Sequence, residues 1–478
     1  MMKLEHQVKS GLKWFAFAKL IGQLITWGLT IYVMRLLNPE AYGLMAIATI
    51  FITFLLLLKE FGLGPAIVQS QSLDEGILQK IFAVLIIISF LLVVTVVACA
   101  PFIAIFFNEP TLHPILQVLA IQFLLIPVES IPYALLQKSM KFKRMAIVEV
   151  TTGIVGGVAT LLFAIYEFGV WALVYGNLVL TACRAILLNI SSPWFAKPDF
   201  HELNKIKKYI TYGGMITLEQ TLRFFYSRAD GFIVGKLLGA KTLGFYSVAM
   251  HLSSLPMQRM NSIINQVAFP AFAKIQDDKE KIRNSMSSGI KLTSFFAFPI
   301  FFGIAGVAED GILLVLGETW FKAILPITIL SLVMPIRMIS NLYPTVVRSC
   351  GRADISVGNL IIGSILMPTS FYFGSFWGLA GVCYAWLVVY PVVFMIEVKR
   401  SKVITSISIA DIFFMIKMPL IISLIMYIIL WFINKSLVEY SHSSSLMIEI
   451  ISGVFVYLLC SFLFNKTEMK EVLSLIRH

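Results

Sequence analysis

Charged residues are scarce in this sequence. Asp, Glu, Lys and Arg make up 13% of its 478 residues, whereas hydrophobic residues make up 58%. Soluble domains carry roughly twice that charged share, and their cores could not enclose so much apolar surface. The composition therefore excludes a string of soluble domains and predicts an all-α, polytopic membrane protein.

Residue patterns that hold metals or carry out bond chemistry are also missing from the sequence. The five cysteines form no C-x-x-C pair, and the six histidines show no metal-ligand spacing. There is no G-x-S-x-G motif, no Walker loop and no acid pair on a large loop. We therefore expect no metal, no cofactor and no catalytic residue, and hence a protein that is not an enzyme.

Long apolar runs dominate the chain instead. A membrane-spanning helix needs about 20 mainly apolar residues, and the sequence offers about fourteen such runs. The first, Trp14–Leu37, follows a basic segment but is too long for the apolar part of a cleavable signal, so we expect it to be retained. The predicted helices lie near residues 14–37, 42–66, 79–106, 114–137, 146–167, 170–190, 210–235, 243–272, 288–308, 323–346, 354–373, 377–397, 411–433 and 446–464.

Lysine and arginine fall mainly on alternate loops between these helices. With the N-terminus in the cytoplasm, the cytoplasmic loops hold most of them, as the positive-inside rule requires. Both termini are then cytoplasmic, and the number of helices is even. The net charge of +12 is explained by contact with anionic lipid at the cytoplasmic surface, so no nucleic-acid partner is expected.

An internal repeat is indicated by two similar loops, each of which follows the first helix of a set of six. Arg35–Leu44 matches Lys236–Phe245, and the match pairs Gly43 with Gly244. Because an even number of helices separates the copies, the halves share one orientation, as in the parallel repeats of some transporters. Chance similarity between apolar segments is the alternative. We predict two pseudo-symmetric six-helix lobes, an N-lobe over residues 1–208 and a C-lobe over 209–405, followed by two helices and a cytoplasmic tail over 406–478.

Eight basic residues fall within the predicted helices, and four of them, Lys19, Arg223, Arg259 and Arg337, are the candidates for a cationic cavity. Each charge costs about 3 kcal/mol or more at the bilayer midplane, so these side chains should line a wet cavity or form structural ion pairs. A surplus of cations favours the first alternative and an anionic substrate. Arginine suits phosphate, because its planar guanidinium makes bidentate hydrogen bonds.

The seventh predicted helix carries a polar stripe. Glu219, Arg223, Tyr226 and Asp230 follow the i, i+4, i+7, i+11 spacing that places side chains on one helix face. Glu219 and Arg223 can also pair with each other along the helix. Burial favours protonation of a carboxyl group and a nearby arginine opposes it, so Asp230 and Glu219 are candidates for coupling to an ion.

Six segments resemble the Wzx-type polysaccharide flippases of the multidrug/oligosaccharidyl-lipid/polysaccharide exporter superfamily, particularly the branch with colanic acid and teichuronic acid exporters. They cover the first 290 or so residues, and the remainder agrees in topology only. The segments are Gly-Leu-Lys-Trp (11–14), Arg-Leu-Leu-Asn-Pro-Glu-Ala-Tyr-Gly-Leu (35–44), Glu-Phe-Gly-Leu-Gly-Pro-Ala-Ile-Val-Gln (60–69), Ser-Arg-Ala-Asp-Gly-Phe-Ile-Val-Gly (227–235), Leu-Gly-Phe-Tyr-Ser-Val-Ala (243–249) and Val-Ala-Phe-Pro (267–270).

The resemblance implies two six-helix lobes around a cavity and transport of an undecaprenyl-diphosphate-linked oligosaccharide to the outer leaflet of a bacterial inner membrane. It also implies alternating access driven by H⁺ or Na⁺, with Asp230 in the region where relatives bind the coupling cation and Asn359 as a helper. Membrane lipids, a polysaccharide polymerase and the chain-length machinery are the partners expected of such a protein.

Two other functions are compatible with a polytopic helical protein. A cation-coupled drug antiporter of the same superfamily would need an acidic cavity, whereas bases outnumber acids at membrane depth here. A polysaccharide polymerase or ligase would present catalytic residues on a large outer loop, and the predicted loops are short.

Overall fold

The computed structural model describes residues 22–58, 67, 74–194, 197–201, 207–437 and 440–466, and only the backbone of 207–219, 259–267, 269 and 270. Within these residues all regular structure is helical, and 11 helices are long and apolar enough to cross a membrane. The predicted all-α polytopic fold is therefore confirmed.

Each predicted helix overlaps one long helix of the described residues. We number these in chain order as α1 (22–36), α2 (Pro39–Leu58), α3 (Glu75–Phe107), α4 (Leu112–Lys138), α5 (Phe142–Ile165), α6 (Val170–Ser191), α7 (Lys207–Leu238), α8 (Ala240–Lys274), α9 (Lys279–Gly306), α10 (Glu318–Ser349), α11 (Ala353–Ser375), α12 (Gly378–Thr405), α13 (Ile409–Ser436) and α14 (His442–Phe464). A short helix, Ala308–Val315, lies between α9 and α10.

Local sequence signals set several of the helix ends. Asn38 precedes α2, and its side-chain oxygen accepts a hydrogen bond from the backbone N–H of Ala41 at 2.9 Å. Ser408 and Asp411 form a reciprocal capping box at the start of α13. Such caps satisfy backbone N–H groups that have no partner within the helix, so they define where membrane helices begin between short loops.

Helices α4 and α10, the fourth of each set of six, are interrupted. In α4 a 3₁₀ segment, Ile121–Leu125, separates two α-helical pieces, and in α10 the helix breaks at Asn341. Pro344 cannot donate a hydrogen bond to the carbonyl group of Ser340, which accounts for a break at this point. The break lies one turn beyond Arg337.

The first packing unit comprises Met1–Phe225 and Gly239–Gly244. In this unit α5 packs closely against α6, where a Cβ atom at Gly176 would lie 1.8 Å from the hydroxyl oxygen of Thr160. Gly157, on the neighbouring face of α5, packs against Leu29 of α1. Small residues thus allow the backbones of three helices to approach closely, as is typical of membrane bundles.

The two glycines that the internal repeat pairs make reciprocal contacts within this unit. A Cβ atom at Gly43 would lie 1.7 Å from the carbonyl oxygen of Ala240, and one at Gly244 would lie 1.7 Å from the carbonyl oxygen of Pro39. The first turns of α2 and α8 therefore cross with backbone against backbone, at a distance that only glycine permits.

The segment that follows α6 is fastened to the start of α3. The buried Lys80 ammonium group forms an ion pair with Asp199 and donates a hydrogen bond to the carbonyl oxygen of His201 at 2.6 Å. The hydrogen bond from Lys80 lowers the pKa of Asp199 to about 2. The carboxylate therefore stays charged, and the attachment holds, throughout the physiological pH range.

The second packing unit comprises Tyr226–Leu238 and Phe245–His478. One large apolar core joins α9, α10, α12, α13 and α14. The phenol of Tyr457 in α14 donates a hydrogen bond to the carbonyl oxygen of Phe295 in α9 at 2.8 Å, and Leu430 of α13 packs against Gly306. Helices α13 and α14, which the sequence predicts to follow the two six-helix lobes, thus pack with this unit.

Candidate ion-coupling and phosphate-binding site

Of the four predicted membrane cations, the structure describes the side chains of two. Lys19 lies outside the described residues, and Arg259 lies on α8, where only the backbone is described. Arg223 has an exposed side chain on the part of α7 that belongs to the first unit, and Arg337 lies on α10 in the second unit. The predicted roles of Lys19, Arg223 and Arg259 therefore stay predictions.

Arg337 lies in an aromatic and sulfur-rich environment. Its guanidinium carbon is 4.3 Å from the centre of the Trp386 ring and 5.9 Å from that of Tyr390. Its Nη1 atom is 3.5 Å from the sulfur of Met250 and 3.7 Å from that of Met334. Within the described part of the chain Arg337 forms no ion pair, so this half-buried cation is stabilised mainly by ring electrons and polarisable sulfur.

Asp230 is buried, and each of its carboxylate oxygens accepts one hydrogen bond. Its Oδ2 atom accepts a hydrogen bond from the phenol of Tyr246 at 2.6 Å, and its Oδ1 atom accepts one from the backbone N–H of Gly231 at 2.7 Å. The indole N–H of Trp386 donates to the phenol oxygen of Tyr246 at 2.8 Å. An indole N–H can only donate, so the Tyr246 hydrogen points to Asp230.

These contacts connect two predicted site residues within the second unit. The chain runs from Asp230 on α7 through Tyr246 on α8 and Trp386 on α12 to Arg337 on α10. Below we call these four residues the coupling chain. A proton or cation bound at Asp230 would compete with the hydrogen bonds that Asp230 accepts from Tyr246 and Gly231. A shift of Tyr246 would in turn move the Trp386 ring on which Arg337 is stacked.

A second buried carboxyl group contacts Ser340, one turn beyond Arg337, and was not found from the sequence. Glu397 on α12 accepts a hydrogen bond from the hydroxyl of Ser340 at 2.5 Å, and Ser340 lies one turn beyond Arg337 on α10. Tyr390 interacts with both Ser340 and Arg337. The signal that could have revealed Glu397 is a single acid after the apolar run Val392–Ile396.

The remaining predicted coupling residues lie apart from this chain. Glu219 lies on α7, where only the backbone is described. The side-chain oxygen of Asn359 on α11 accepts a hydrogen bond from the Nε–H of Arg400 at 2.8 Å. Tyr226 of the predicted polar stripe packs against Gly363 of α11, where an added Cβ atom would lie 2.8 Å from its ring. The contribution of Glu219 and Asn359 to coupling remains a prediction.

Two threonines of the first helix satisfy their hydrogen-bonding groups within the helix itself. The hydroxyl groups of Thr26 and Thr30 donate to the carbonyl oxygens one turn earlier in α1, each at 2.8 Å. Such back-bonding removes the need for an external partner. Among the described residues, no group of three His, Cys, Asp or Glu side chains is arranged to hold a metal ion.

Comparison with known proteins gives matches over most of the chain. A family described as "Polysaccharide biosynthesis protein" matches residues 32–325. The chain is 26% identical over 392 residues to the lipopolysaccharide biosynthesis protein WzxC of Escherichia coli (strain K12), with 81% of this chain and 79% of the relative covered. It is 25% identical over 469 residues to the teichuronic acid biosynthesis protein TuaB of Bacillus subtilis (strain 168), with 96% of each covered.

The fold is similar to that of a solved transporter. The structure of the lipid II flippase MurJ in an inward closed conformation superposes with a TM-score of 0.71 and covers 95% of this chain and 99% of that chain. Because the sequences are only 15% identical, this likeness bears on the fold alone.

Proposed function

Because the chain belongs to the polysaccharide biosynthesis protein family, we propose that it is a flippase for a lipid-linked oligosaccharide. It moves an undecaprenyl-diphosphate-linked repeat unit from the cytoplasmic to the outer leaflet of a bacterial inner membrane by alternating access. The two curated relatives named above are biosynthesis proteins for envelope polysaccharides, which supports a precursor of such a polysaccharide as the cargo.

The observation that carries this proposal is the position of Arg337. A guanidinium group without an ion pair among the described residues, in the mainly apolar middle of α10, is costly to keep at membrane depth, and such residues commonly mark a substrate path. Stacking on Trp386 occupies one face of the guanidinium and leaves N–H groups on its edge. Those N–H groups can make bidentate hydrogen bonds to a diphosphate.

We place ion coupling at Asp230. The carboxyl group is buried in the second unit, and it is linked to Arg337 through Tyr246 and Trp386. Binding of H⁺ or Na⁺ at Asp230 would weaken its hydrogen bond from Tyr246 and shift the Trp386 ring. The coupling ion thereby changes the surroundings of the phosphate-binding cation, and no bond chemistry on the cargo is required.

The orientation proposed for the molecule has both termini in the cytoplasm, as the distribution of lysine and arginine favours. Membrane lipids surround the helices. The polysaccharide polymerase and the chain-length machinery take up the cargo after it reaches the outer leaflet.

A deletion strain provides the test of this function. Lipid-linked intermediates are extracted and analysed by mass spectrometry, and their leaflet is determined in spheroplasts with a membrane-impermeant oxidant of sugars. Complete repeat units that are protected from the oxidant support a flippase. Complete units exposed on the outer leaflet but not polymerised would instead identify a polymerase or ligase and refute the proposal.

Complementation of this strain tests the site. Arg337→Ala should fail to restore export, and Arg337→Lys should restore it in part, because lysine keeps the charge but lacks the bidentate fork. Arg352→Ala is the matched control, since Arg352 is exposed and pairs with the exposed Asp354 next to it. If the Arg337→Ala variant exported normally, Arg337 would not be the residue that binds the phosphate.

A further inference from the structure

A cluster of polar side chains lies at one end of α13 and α14, at the opposite end of the second unit from the loop between α12 and α13. It contains Asp310 of the Ala308–Val315 helix, Asn434 near the end of α13, and His442 and Glu449 of α14. None of these residues belongs to the coupling chain.

Two carboxyl groups meet in this cluster. The side-chain amide of Asn434 donates to Oδ2 of Asp310 at 3.4 Å and to Oε1 of Glu449 at 3.0 Å. The carboxyl groups of Asp310 and Glu449 also interact directly with each other. Asp310 is 6% exposed and Glu449 is 0% exposed, so water screens two negative charges here only weakly.

One oxygen of this pair has no donor. Oε2 of Glu449 is buried and makes no hydrogen bond to any described residue. A buried, unmatched acceptor costs about 1–3 kcal/mol in general, and its neighbour Asp310 is itself an acceptor. A proton placed on this oxygen would convert two opposed acceptors into a donor and an acceptor.

His442 connects the pair to solvent. Its Nδ1 atom lies 2.6 Å from Oδ1 of Asp310, and 47% of its side chain is exposed. An imidazole ring can receive a proton at Nε2 from water and release one from Nδ1 to the carboxylate. The ring is then neutral again, with its proton on the other nitrogen, and the proton resides on the carboxyl pair.

The other charged groups of the surrounding helices do not neutralise the pair. Glu309 is exposed and adds negative charge, whereas Lys435 stacks on Trp431 at 3.9 Å. Glu318 and Lys322, at the start of α10, are exposed. Residues 293–306 of α9 contain no titratable side chain, and Glu439 lies outside the described residues.

We propose that Asp310, Asn434, His442 and Glu449 form a second proton-binding site, separate from Asp230, which is filled from solvent through His442. In the proton-bound state Asp310 and Glu449 share a hydrogen bond, which holds α14 to the Ala308–Val315 helix. Loss of the proton makes the two carboxylates repel each other and loosens the packing of the last two helices. With the proposed orientation of the chain, the site opens to the outer side of the membrane, and only this assignment of the side rests on the proposed function.

Infrared difference spectroscopy on the purified, full-length protein in lipid nanodiscs tests the site without transport. Lowering the pH from about 8 to about 5, where a buried carboxyl group can take up a proton, should produce the carbonyl band of a protonated carboxylic acid. Glu449→Gln and Asp310→Asn should each remove the part of this band that comes from the shared proton. Glu309→Gln, on the same short helix as Asp310 but exposed, should leave the band unchanged.

Thermal unfolding gives an independent measurement. A proton bound more tightly in the folded than in the unfolded state stabilises the protein at low pH, and this stabilisation is lost as the pH rises. The melting temperature of the wild type should therefore fall between about pH 5 and about pH 8, and that of Glu449→Gln should fall less.

Three outcomes overturn the inference. The carbonyl band could persist unchanged in Glu449→Gln and Asp310→Asn, or both variants could unfold with the same pH dependence as the wild type. Displacement of the band by sodium ions at constant pH would identify a sodium site instead. If the deletion strain showed no flippase defect but the infrared band changed as expected, the proposed function would be refuted and the proton-binding site would be supported.

Discussion

Arg337 and Trp386 show how a single aromatic ring can serve two purposes in a membrane helix bundle. The π face of Trp386 stabilises the guanidinium group at 4.3 Å, and its indole N–H donates to Tyr246 at 2.8 Å. Tryptophan is the aromatic side chain with the strongest cation–π attraction. Both interactions would be weakened or lost with any other side chain at this position.

Replacement of this ring tests the argument. Trp386→Phe keeps an aromatic face but weakens the cation–π contact and removes the hydrogen bond to Tyr246. We expect export to fall about fivefold, which corresponds to about 1 kcal/mol. The matched control is Trp431→Phe, which weakens the contact of Trp431 with Lys435 at the exposed end of α13. Equal effects of the two variants would mean that the Arg337 contact has no special role.

The coupling role of Asp230 is separable from its structural role. Asp230→Asn keeps the size of the side chain but removes its charge, so we expect about a tenfold or greater loss of gradient-driven export. Tyr246→Phe keeps the carboxylate and removes one of its two donors, and it should cost less. Export rates are compared with and without an imposed H⁺ or Na⁺ gradient. If Asp230 only anchored Tyr246, both variants would lose the same amount and keep the response to the gradient.

At the scale of helices, the crossing of α2 and α8 depends on two glycines. Gly43→Ala or Gly244→Ala would place a Cβ atom where a backbone carbonyl oxygen now lies, and backbone cannot yield as a side chain can. Overpacking of this kind typically costs about 1–3 kcal/mol. We expect a lower melting temperature and weaker export for both variants.

The control for this pair is Gly28→Ala on α1. A Cβ atom at Gly28 would meet no atom within 4 Å, and alanine favours helix more than glycine does by about 1 kcal/mol. The control should therefore match or exceed the stability of the wild type. Full stability of Gly43→Ala would show that the crossing is looser than the structure indicates.

The sequence was most informative about elements and least informative about contacts between them. Apolar runs located the helices, because each helix needs about 20 mainly apolar residues to cross the bilayer. The acid Asp230 and the base Arg337 attracted notice, because charges are costly in such runs. Their connection did not, since Tyr246 and Trp386 are 140 positions apart in the chain and both residue types are common in membrane helices.

The same reasoning explains why Glu397 and Glu449 were missed. Glu397 lies three residues before Arg400 near the basic end of α12, so it resembles half of an ordinary surface ion pair, and Glu449 is a single acid in an apolar helix. Their significance comes from Ser340 and Asn434 on other helices, and packing of this kind has no signature in the local sequence. The interruption of α10 could be predicted in part from the sequence, since Pro344 has no backbone N–H and leaves one helical hydrogen bond unmade.

For the whole molecule, orientation decides which side each site faces. Cysteine labelling across α5 tests it on a background in which the five native cysteines are replaced. Tyr166→Cys, at the exposed end of α5, should react with a membrane-impermeant maleimide in intact cells. Lys141→Cys, before α5, should react only after the cells are permeabilised, because the positive-inside rule keeps this basic loop in the cytoplasm. The opposite pattern would invert the proposed orientation.

The reciprocal contact of Gly43 and Gly244 also bears on the ancestry of the chain. A contact in which each partner presents the same residue to the other is isologous, as in a homodimer with a twofold axis. A polypeptide of half this length would need only one such glycine, which would meet its own copy in a second subunit. Fusion of two identical genes would then have turned a quaternary interface into an intramolecular one. The sequences around the two positions could diverge after that fusion, whereas glycine was still required at each position.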